Sequence, residues 1–414
     1  MIQPWFKYPQ QLKIFVIDLI LAELSALRQG LQTPVFNAAK MTLDESGLHA
    51  DSLEMMALSV ALSRSIHLES SEIDDNLFNY TLLDDWISIS LKSLTAFSAK
   101  ISFKSSGSVG LKKYHTHSLA QLEQEAEFLG QLLKGRKRIF RAVPSHHIYG
   151  FIFTVLLPRY LGNSVEVVDV RGLSFNAIQA TLQSGDLMIA YPEFWQFCDE
   201  SNIDFPTDII GINSSGPCSA QVGVNLLEKR LSNFYEIYGT SETAGISWKS
   251  HPLSAFTLFP FWGKTESPTE INRQLLDGDF QTYPLQDNLD WISPTQFMIK
   301  GRKDEVIQVG GINVSLQLVH EKLINHPLIK EAAIRMMRSE EGTRLKAFIV
   351  LKEEAESGFE LNDLHVKRIC EEIELYINKN FTTAERPKSI TYGLKIPVDK
   401  MGKNSDWLIQ KTFN

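Results

Sequence analysis

The sequence predicts an α/β fold in two parts: a large domain over residues 1–303 with mostly parallel sheets, and a small α+β domain over 304–414. Three observations predict it. Short apolar, β-branched stretches recur, each followed by a small-residue loop and then a helical stretch, the pattern of strand–loop–helix units on a largely parallel sheet. Near residue 300 this gives way to a polar turn, two strands split by Gly310-Gly311, and a rapid succession of helix and strand. A chain of 414 residues also exceeds what one core usually holds.

In chain order, Leu12, Phe15, Val16, Leu19, Ile20 and Leu24 fall on one side of a helix over 10–29, and a second helix is predicted over 51–66. Residues 99–110 read as a strand running into a Ser/Gly loop, and 116–134, rich in Gln, Glu and Leu, as a helix. A strand over 136–143 precedes a buried helix over 151–161. Residues 164–170, 186–190, 208–216 and 233–239 are short apolar strands. In the small domain a helix is predicted over 316–326, strands over 329–336 and 344–352, an acidic helix over 361–379 and a last strand over 389–394.

Composition narrows the function. With 43% hydrophobic and 22% charged residues, the chain is no disordered, collagen-like or disulfide-stapled protein. A net charge of −8 supplies no general basic face for nucleic acid. Cys198, Cys218 and Cys370 are far apart and form no C-x-x-C pair, which suits a reducing cytoplasm. The most apolar early stretch, 14–24, contains Asp18 and Glu23 and is too short to span a bilayer, so a cytoplasmic protein with neither secretion signal nor membrane span is expected.

Four segments carry chemistry. SSGSVGLKK (105–113) follows a strand, and its glycines let backbone N–H groups wrap a phosphate while its lysines add positive charge. It does not satisfy the Walker pattern, and by itself it could be a surface turn. YGTSETAG (238–245) also follows an apolar strand, which puts its hydroxyls and Glu242 at a strand's carboxyl end, where open parallel sheets bind ligands. In GRKDEVIQVGGINVS (301–315), Arg302 offers a forked contact to ribose or phosphate, and Gly310-Gly311 offers bare backbone to a ligand chain. PVDKMGKNSDW (397–407) carries Lys403, which alone would read as a solvated lysine.

Taken together and in this order, the four segments resemble the AMP-forming adenylating superfamily of acyl-CoA synthetases, aryl-CoA ligases and free-standing adenylation domains. The resemblance covers roughly residues 100–405. The family's phosphate loop is matched by Ser105, Ser106, Gly107, Ser108, Gly110 and Lys113, with departures at Val109 and Lys112. The family's Y-G-x-[ST]-E is matched by Tyr238, Gly239, Thr240, Ser241 and Glu242, its G-R-x-D by Gly301, Arg302 and Asp304, and its P-x-x-x-x-G-K by Pro397, Gly402 and Lys403. Asp287, about fifteen residues before Arg302, is the nearest equivalent of the family's ribose carboxylate, with Asp290 as the fallback. SSGPCS (214–219), with Ser215, Gly216 and Pro217, resembles the small-residue loop beside adenine. PSHHIYG (144–150) resembles the segment that opens the acyl pocket, with His147 in the lining position.

The resemblance implies a reaction. A carboxylate attacks the α-phosphate of ATP, and Mg²⁺ is held by Glu242. The 105–113 loop grips phosphates, Asp287 and Arg302 hold the ribose, and Lys403 bridges carboxylate and phosphate. A small mobile C-terminal domain then turns about Asp304 so that Gly310 and Gly311 line the path of a pantetheine thiol, from CoA or a phosphopantetheine arm. The pocket segment has no Asp to pair an amino group, which favours a non-amino acid, and its histidines and Tyr149 favour an aryl acid such as a hydroxybenzoate or coumarate. HHIYGFIFTVLLP and the short chain further resemble the ligases of bacterial aryl-polyene pigment clusters, for which an acyl carrier protein is the expected acceptor. A general acyl- or aryl-CoA synthetase using free CoA, and a non-catalytic nucleotide-binding relative, remain alternatives. Against the family the chain is short by on the order of a hundred residues, which predicts a trimmed large domain with less peripheral β structure.

Overall fold

The computed structural model describes residues 2–28, 42–44, 47–73, 76–104, 113–162, 165–201, 203–302, 306–338, 340–352, 364–397 and 406–409. They fall into two compact units. One comprises the chain up to residue 105 with Lys113–Leu285 and Asp290–Met298; the other comprises Gln286–Leu289 and Ile299 onward.

In the first unit the predicted amphipathic stretch is a helix, Pro9–Leu27, with proline at its start, where a missing N–H costs nothing. Its Leu12, Phe15, Val16, Leu19, Ile20 and Leu24 are buried. Asp18 is buried as well, because Arg141 and Arg171 meet its carboxylate. Burial opposes its ionisation, but the two guanidiniums outweigh that and hold its pKa below the usual value. The helix Ser52–Ile66 opens on a capping box, Asp51 accepting from Leu53 N and Glu54 N while Glu54 reaches back to Asp51 N.

Two strands form a hairpin, β1 (Lys100–Lys104) and β2 (Tyr114–Ser118), paired antiparallel from Lys100↔Ser118 to Lys104↔Tyr114. The helix expected from 116 therefore starts later, at Leu119, and runs to Leu132. The alternating Tyr-His-Thr-His-Ser pairs with β1 instead, a cross-strand partnership that helical spacing in the following residues conceals. The stretch expected as one buried helix over 151–161 is instead a helical turn, Ile148–Phe151, a π-turn, Ile152–Leu156, and a last turn, Pro158–Leu161. Pro158 has no N–H to give, and the ladder widens just before it, with Leu157 N bonding Ile152 O at 2.8 Å.

The main sheet draws on β3 (Arg138–Arg141), β4 (Glu166–Asp169), β5 (Asp186–Ala190), β6 (Ile210–Asn213), β7 (Asn233–Thr240), β8 (Ala244–Lys249) and β9 (Phe256–Leu258). A separate antiparallel sheet of β10 (Trp262–Lys264), β11 (Glu270–Gln274) and β12 (Phe280–Pro284) follows. The hairpin strands β13 (Asp287–Ser293) and β14 (Gln296–Arg302) then extend the main sheet. Its order is β13-β14-β9-β8-β7-β6-β5-β3-β4. From β4 to β7 all pairs are parallel; from β7 to β9, and between β9 and β14, they are antiparallel, since three residues between β7 and β8 allow only a hairpin. One face of the parallel strands buries Phe140, Met188 and Phe234 against Trp195 and Leu226 of the helices Pro192–Glu200 and Ala220–Glu228.

In the second unit, β15 (Val306–Val309) and β16 (Ile312–Ser315) form a hairpin around Gly310-Gly311. β17 (Ile329–Met336), β18 (Leu345–Leu351) and β19 (Ser389–Tyr392) form a sheet in that order, antiparallel and then parallel. The helices Leu316–Ile324 and Leu364–Asn380 cover one face through Val319, Leu323, Ile369, Ile373 and Ile377. All three cysteines are free, and no described helix is long and apolar enough to cross a membrane.

Candidate active site

The order β4-β3-β5-β6-β7 contains a reversal. From β3 the chain goes to one side for β4 and returns to the other side for β5. Ligands of open parallel sheets bind at the carboxyl ends beside such a reversal. Three of the predicted segments leave the sheet there: Pro144–Gly150 after β3, Ser214–Ser219 after β6, and Ser241–Thr243 after β7.

The segment after β3 is anchored by the buried Asp18, whose carboxylate accepts from Ser145 N at 2.6 Å. Ser145 Oγ in turn bonds Thr154 Oγ1 at 2.7 Å, inside the π-turn. His146 and His147 follow, with ring centroids 4.2 Å apart. His147 keeps an accessible side chain, yet the protein packed around its ring lowers its pKa by loss of solvation, with Asp18 acting in the opposite sense. His146 is pushed well down, first by burial and then by His147 and the Arg171 and Arg141 guanidiniums; its Nδ1 is buried without a partner among the described residues. Both rings are therefore neutral near pH 7. Tyr149, read from sequence as a pocket wall, spends its hydroxyl on the ends of β5 and β6, at Ala190 O (3.2 Å) and Ile212 O (3.1 Å).

The loop after β6 turns at Ser215, which has φ of +70°. Asn213 Nδ2 donates to Gly216 O at 3.0 Å, and Ser214 Oγ to Ile237 O at 2.9 Å, so the loop is tied to β7. Beneath it the Glu236 carboxylate meets Lys249 at 2.8 Å with both side chains largely buried. Ser215 and Pro217 are left exposed.

The turn after β7 is fixed from within and from outside. Thr240 N donates to Thr243 Oγ1 (3.1 Å) and Glu242 N to Thr240 Oγ1 (3.2 Å). Gly239 is required because a Cβ would lie 2.0 Å from Ala244 O. His117, on β2, bonds Ser241 O at 2.8 Å. A carbonyl only accepts, so Nε2 carries the proton. Burial drives the pKa of this histidine down to about 4, only partly opposed by that bond. His115, two residues back on the same strand, has Nε2 3.8 Å from the Glu242 carboxylate, which is otherwise open to solvent. Glu125, buried on the helix Leu119–Leu132, accepts from Gly245 N at 3.1 Å, and Trp262 donates to Gly245 O at 2.8 Å. Burial pushes Glu125 up to about 7, with Arg273 and the Gly245 N–H pulling the other way. Tyr238 packs its ring against Phe256 and Phe297.

His117, His115, Glu125, Asn213 and Glu236 are absent from the sequence reading. Only the alternation of Tyr114–Ser118 hinted that two histidines share a strand face. The phosphate-loop residues Ser105, Ser106, Gly107, Ser108 and Gly110, together with Asp304 and Lys403, lie outside the described residues. Lys113 immediately precedes β2 and has an exposed side chain. Asp287, buried, begins β13, and the backbone of Arg302 ends β14; these are neighbouring strands of seven residues each, so both positions share one end of the hairpin. Asp290 is exposed farther along β13. Gly310 and Gly311 have φ of +60° and +73°, as a two-residue hairpin turn of primed type requires. Among the described residues no three His, Cys, Asp or Glu side chains gather as a metal site. The accessible Glu242 carboxylate still suits Mg²⁺, which takes one or two carboxylates and completes its shell with substrate phosphate and water.

No protein-family model matches the chain. It is 31% identical over 401 residues to a 4-coumarate–CoA ligase of Rhodobacter capsulatus, covering 95% of this chain and 98% of the relative. It is 31% identical over 367 residues to a 4-coumarate–CoA ligase of Halorhodospira halophila, covering 88% and 90%. An amide bond synthetase from Marinactinospora thermotolerans shares the fold at a TM-score of 0.56 and 14% identity, over 95% of this chain and 92% of that one. An o-succinylbenzoate–CoA synthetase from Bacillus subtilis does so at 0.56 and 16%, over 95% and 92%. Near-complete coverage of ligases as short as this chain, with matched motifs at the carboxyl ends of β6 and β7, leads to one conclusion: the chain belongs to the AMP-forming acyl- and aryl-CoA ligase superfamily and is an acid–thiol ligase of that type.

Proposed function

We propose that the protein activates an aryl carboxylic acid, such as a hydroxybenzoate or coumarate, as its acyl-adenylate and passes the acyl group to a pantetheine thiol. The observation that carries this reading is the convergence of the His146–His147 segment, the Ser214–Cys218 loop and the Thr240–Thr243 turn on the carboxyl ends of β3, β6 and β7. In this reading a substrate carboxylate oxygen attacks the α-phosphorus of ATP and pyrophosphate leaves. Two anions must meet, so the protein's task is positioning and charge stabilisation. Lys403 bridges the carboxylate and the α-phosphate, and the 105–113 loop with Thr240 and Ser241 holds phosphate oxygens. Asp287 and Arg302 hold the ribose, and Ser215, Gly216 and Pro217 border the adenine. Glu242 would hold Mg²⁺, whose charge offsets that of the phosphates. The neutral His147 borders the acyl pocket, and an aromatic acid fits beside the two adjacent imidazoles.

The thiol then attacks the acyl carbonyl and AMP leaves. Asp304 is the hinge between a large domain ending at 303 and a small one from 304, and the Gly310-Gly311 turn lines the thiol path. An acyl carrier protein is the proposed acceptor over free CoA, from the resemblance to aryl-polyene ligases. Two assays test the reading. Acid-dependent pyrophosphate release across aryl and fatty acids should peak on a hydroxylated aryl acid, and silence across the panel would favour a binding-only protein. Thioester formation with CoA or with holo carrier protein then decides the acceptor.

A further inference from the structure

The small sheet has two faces, and the second is covered in an unusual way. Along β18, Leu345, Ala347, Ile349 and Leu351 join the core beneath the two helices. The alternate residues Phe348 and Val350 pack with Ala333 of β17 in a separate cluster, closed by Ile396 and Trp407. Those two residues flank the stretch 397–406, in which Lys403 lies three positions before Asp406.

Lys346 alternates with Phe348 and Val350 and is fully buried. Its ammonium has three N–H donors and three oxygens to meet: Glu341 Oε2 at 2.6 Å, Trp407 O at 2.8 Å and Asp406 Oδ1 at 2.9 Å. The same ammonium lies 5.3 Å from the centre of the Trp407 ring, which meets Phe348 edge-on at 5.7 Å. Arg338 Nε bonds the other Asp406 oxygen at 2.5 Å. Burial works against Asp406 ionising, yet the bonds from Lys346 and Arg338 take its pKa down to about 2. A buried ammonium is costly unless saturated in this way, and a leucine at 346 would serve simple packing.

We infer that Lys346, through Asp406 and Trp407, is a positioning residue for the activation half-reaction, fixing the chain immediately beyond Lys403. The inference rests on the reading that Lys403 serves adenylation. The stored geometry is local to the small unit, so its loss should fall on the step that uses Lys403 and spare the step that does not.

The test uses the full chain with 4-coumarate as the acid. It compares Lys346→Met, Asp406→Asn and Lys403→Ala in ATP–pyrophosphate exchange and in thioester formation from supplied 4-coumaroyl-adenylate and CoA. Asp406→Asn is the milder variant, because it leaves Lys346 paired with Glu341. Expected is a loss of about tenfold or more in exchange for Lys346→Met and Asp406→Asn, with transfer from the adenylate within about twofold of the unaltered protein. If Lys403→Ala abolishes exchange while Asp406→Asn leaves it intact, or if Asp406→Asn lowers both half-reactions equally, the inference is overturned and the underlying reading stands. If Lys403→Ala itself retains exchange, the reading beneath it is overturned.

Discussion

Two glycine-bearing turns, one in each unit, are built on opposite terms. Around Gly239 the backbone is packed so closely that a Cβ would lie 2.0 Å from a carbonyl oxygen, and His117, Glu125 and Trp262 hold the turn from three separate elements. Around Gly310 and Gly311 nothing among the described residues lies within 4 Å of where a Cβ would be, and only the positive φ calls for glycine. The contrast fits the two tasks proposed for these turns. Stabilising the charge on a reacting phosphate needs N–H and hydroxyl donors that do not reorganise. A thiol arm sliding past backbone needs clear space and little else.

The largest effect expected lies in neither turn. Lys403→Ala should lower pyrophosphate exchange by about a hundred- to a thousandfold while transfer from a supplied adenylate persists; normal exchange would remove the lysine from the chemistry. Next, Gly239→Ala should destabilise the first unit by about 3 kcal/mol or more, because the clash is with backbone that has nowhere to go. A melting temperature within about 2 °C of the unaltered protein would break the contrast between the turns.

Glu125 sharpens it through pH. Its folded pKa of about 7 lies above the ordinary 4.5, so between these values the folded state keeps a proton that the unfolded state has released. Stability conferred at low pH should therefore decline as pH rises from about 4.5 to about 7, by up to about 3 kcal/mol, and then level off. Glu125→Gln should flatten that slope in melting curves taken from pH 4.5 to 8; an unchanged slope would assign it to other groups. The smallest effect belongs to Gly310→Ala, with φ of +60°, which should cost about 1–2 kcal/mol and slow thioester formation rather than adenylation. An equal slowing of both half-reactions would place the second turn in the first one's class.

Much of the architecture could be read directly. The strand over 186–190 and that over 329–336 stand where the apolar, β-branched runs put them, and the helix at 9–27 keeps the buried face its spacing announced. These elements are local: their patterns repeat within one stretch of chain. Tyr114–Ser118 was hidden because its pairing partner lies beyond the loop it closes, and the π-turn because Pro158 acts on residues before it. Asp18 looked only like an interruption in an apolar run. Its real function, receiving two arginines and the Ser145 N–H, depends on residues more than a hundred positions away.

By itself the sequence determined the family and nominated the groups proposed for the chemistry, because phosphate, ribose and metal each demand particular donors at short fixed spacings, and those spacings survive in the linear order. Only the tertiary structure decided what holds those groups still. His117 beneath Ser241, Glu125 against Gly245 and Lys346 under Trp407 are single residues brought in by sheet pairing and burial, and a polar side chain carries no mark in the sequence of whether it will be surrounded by protein or by water.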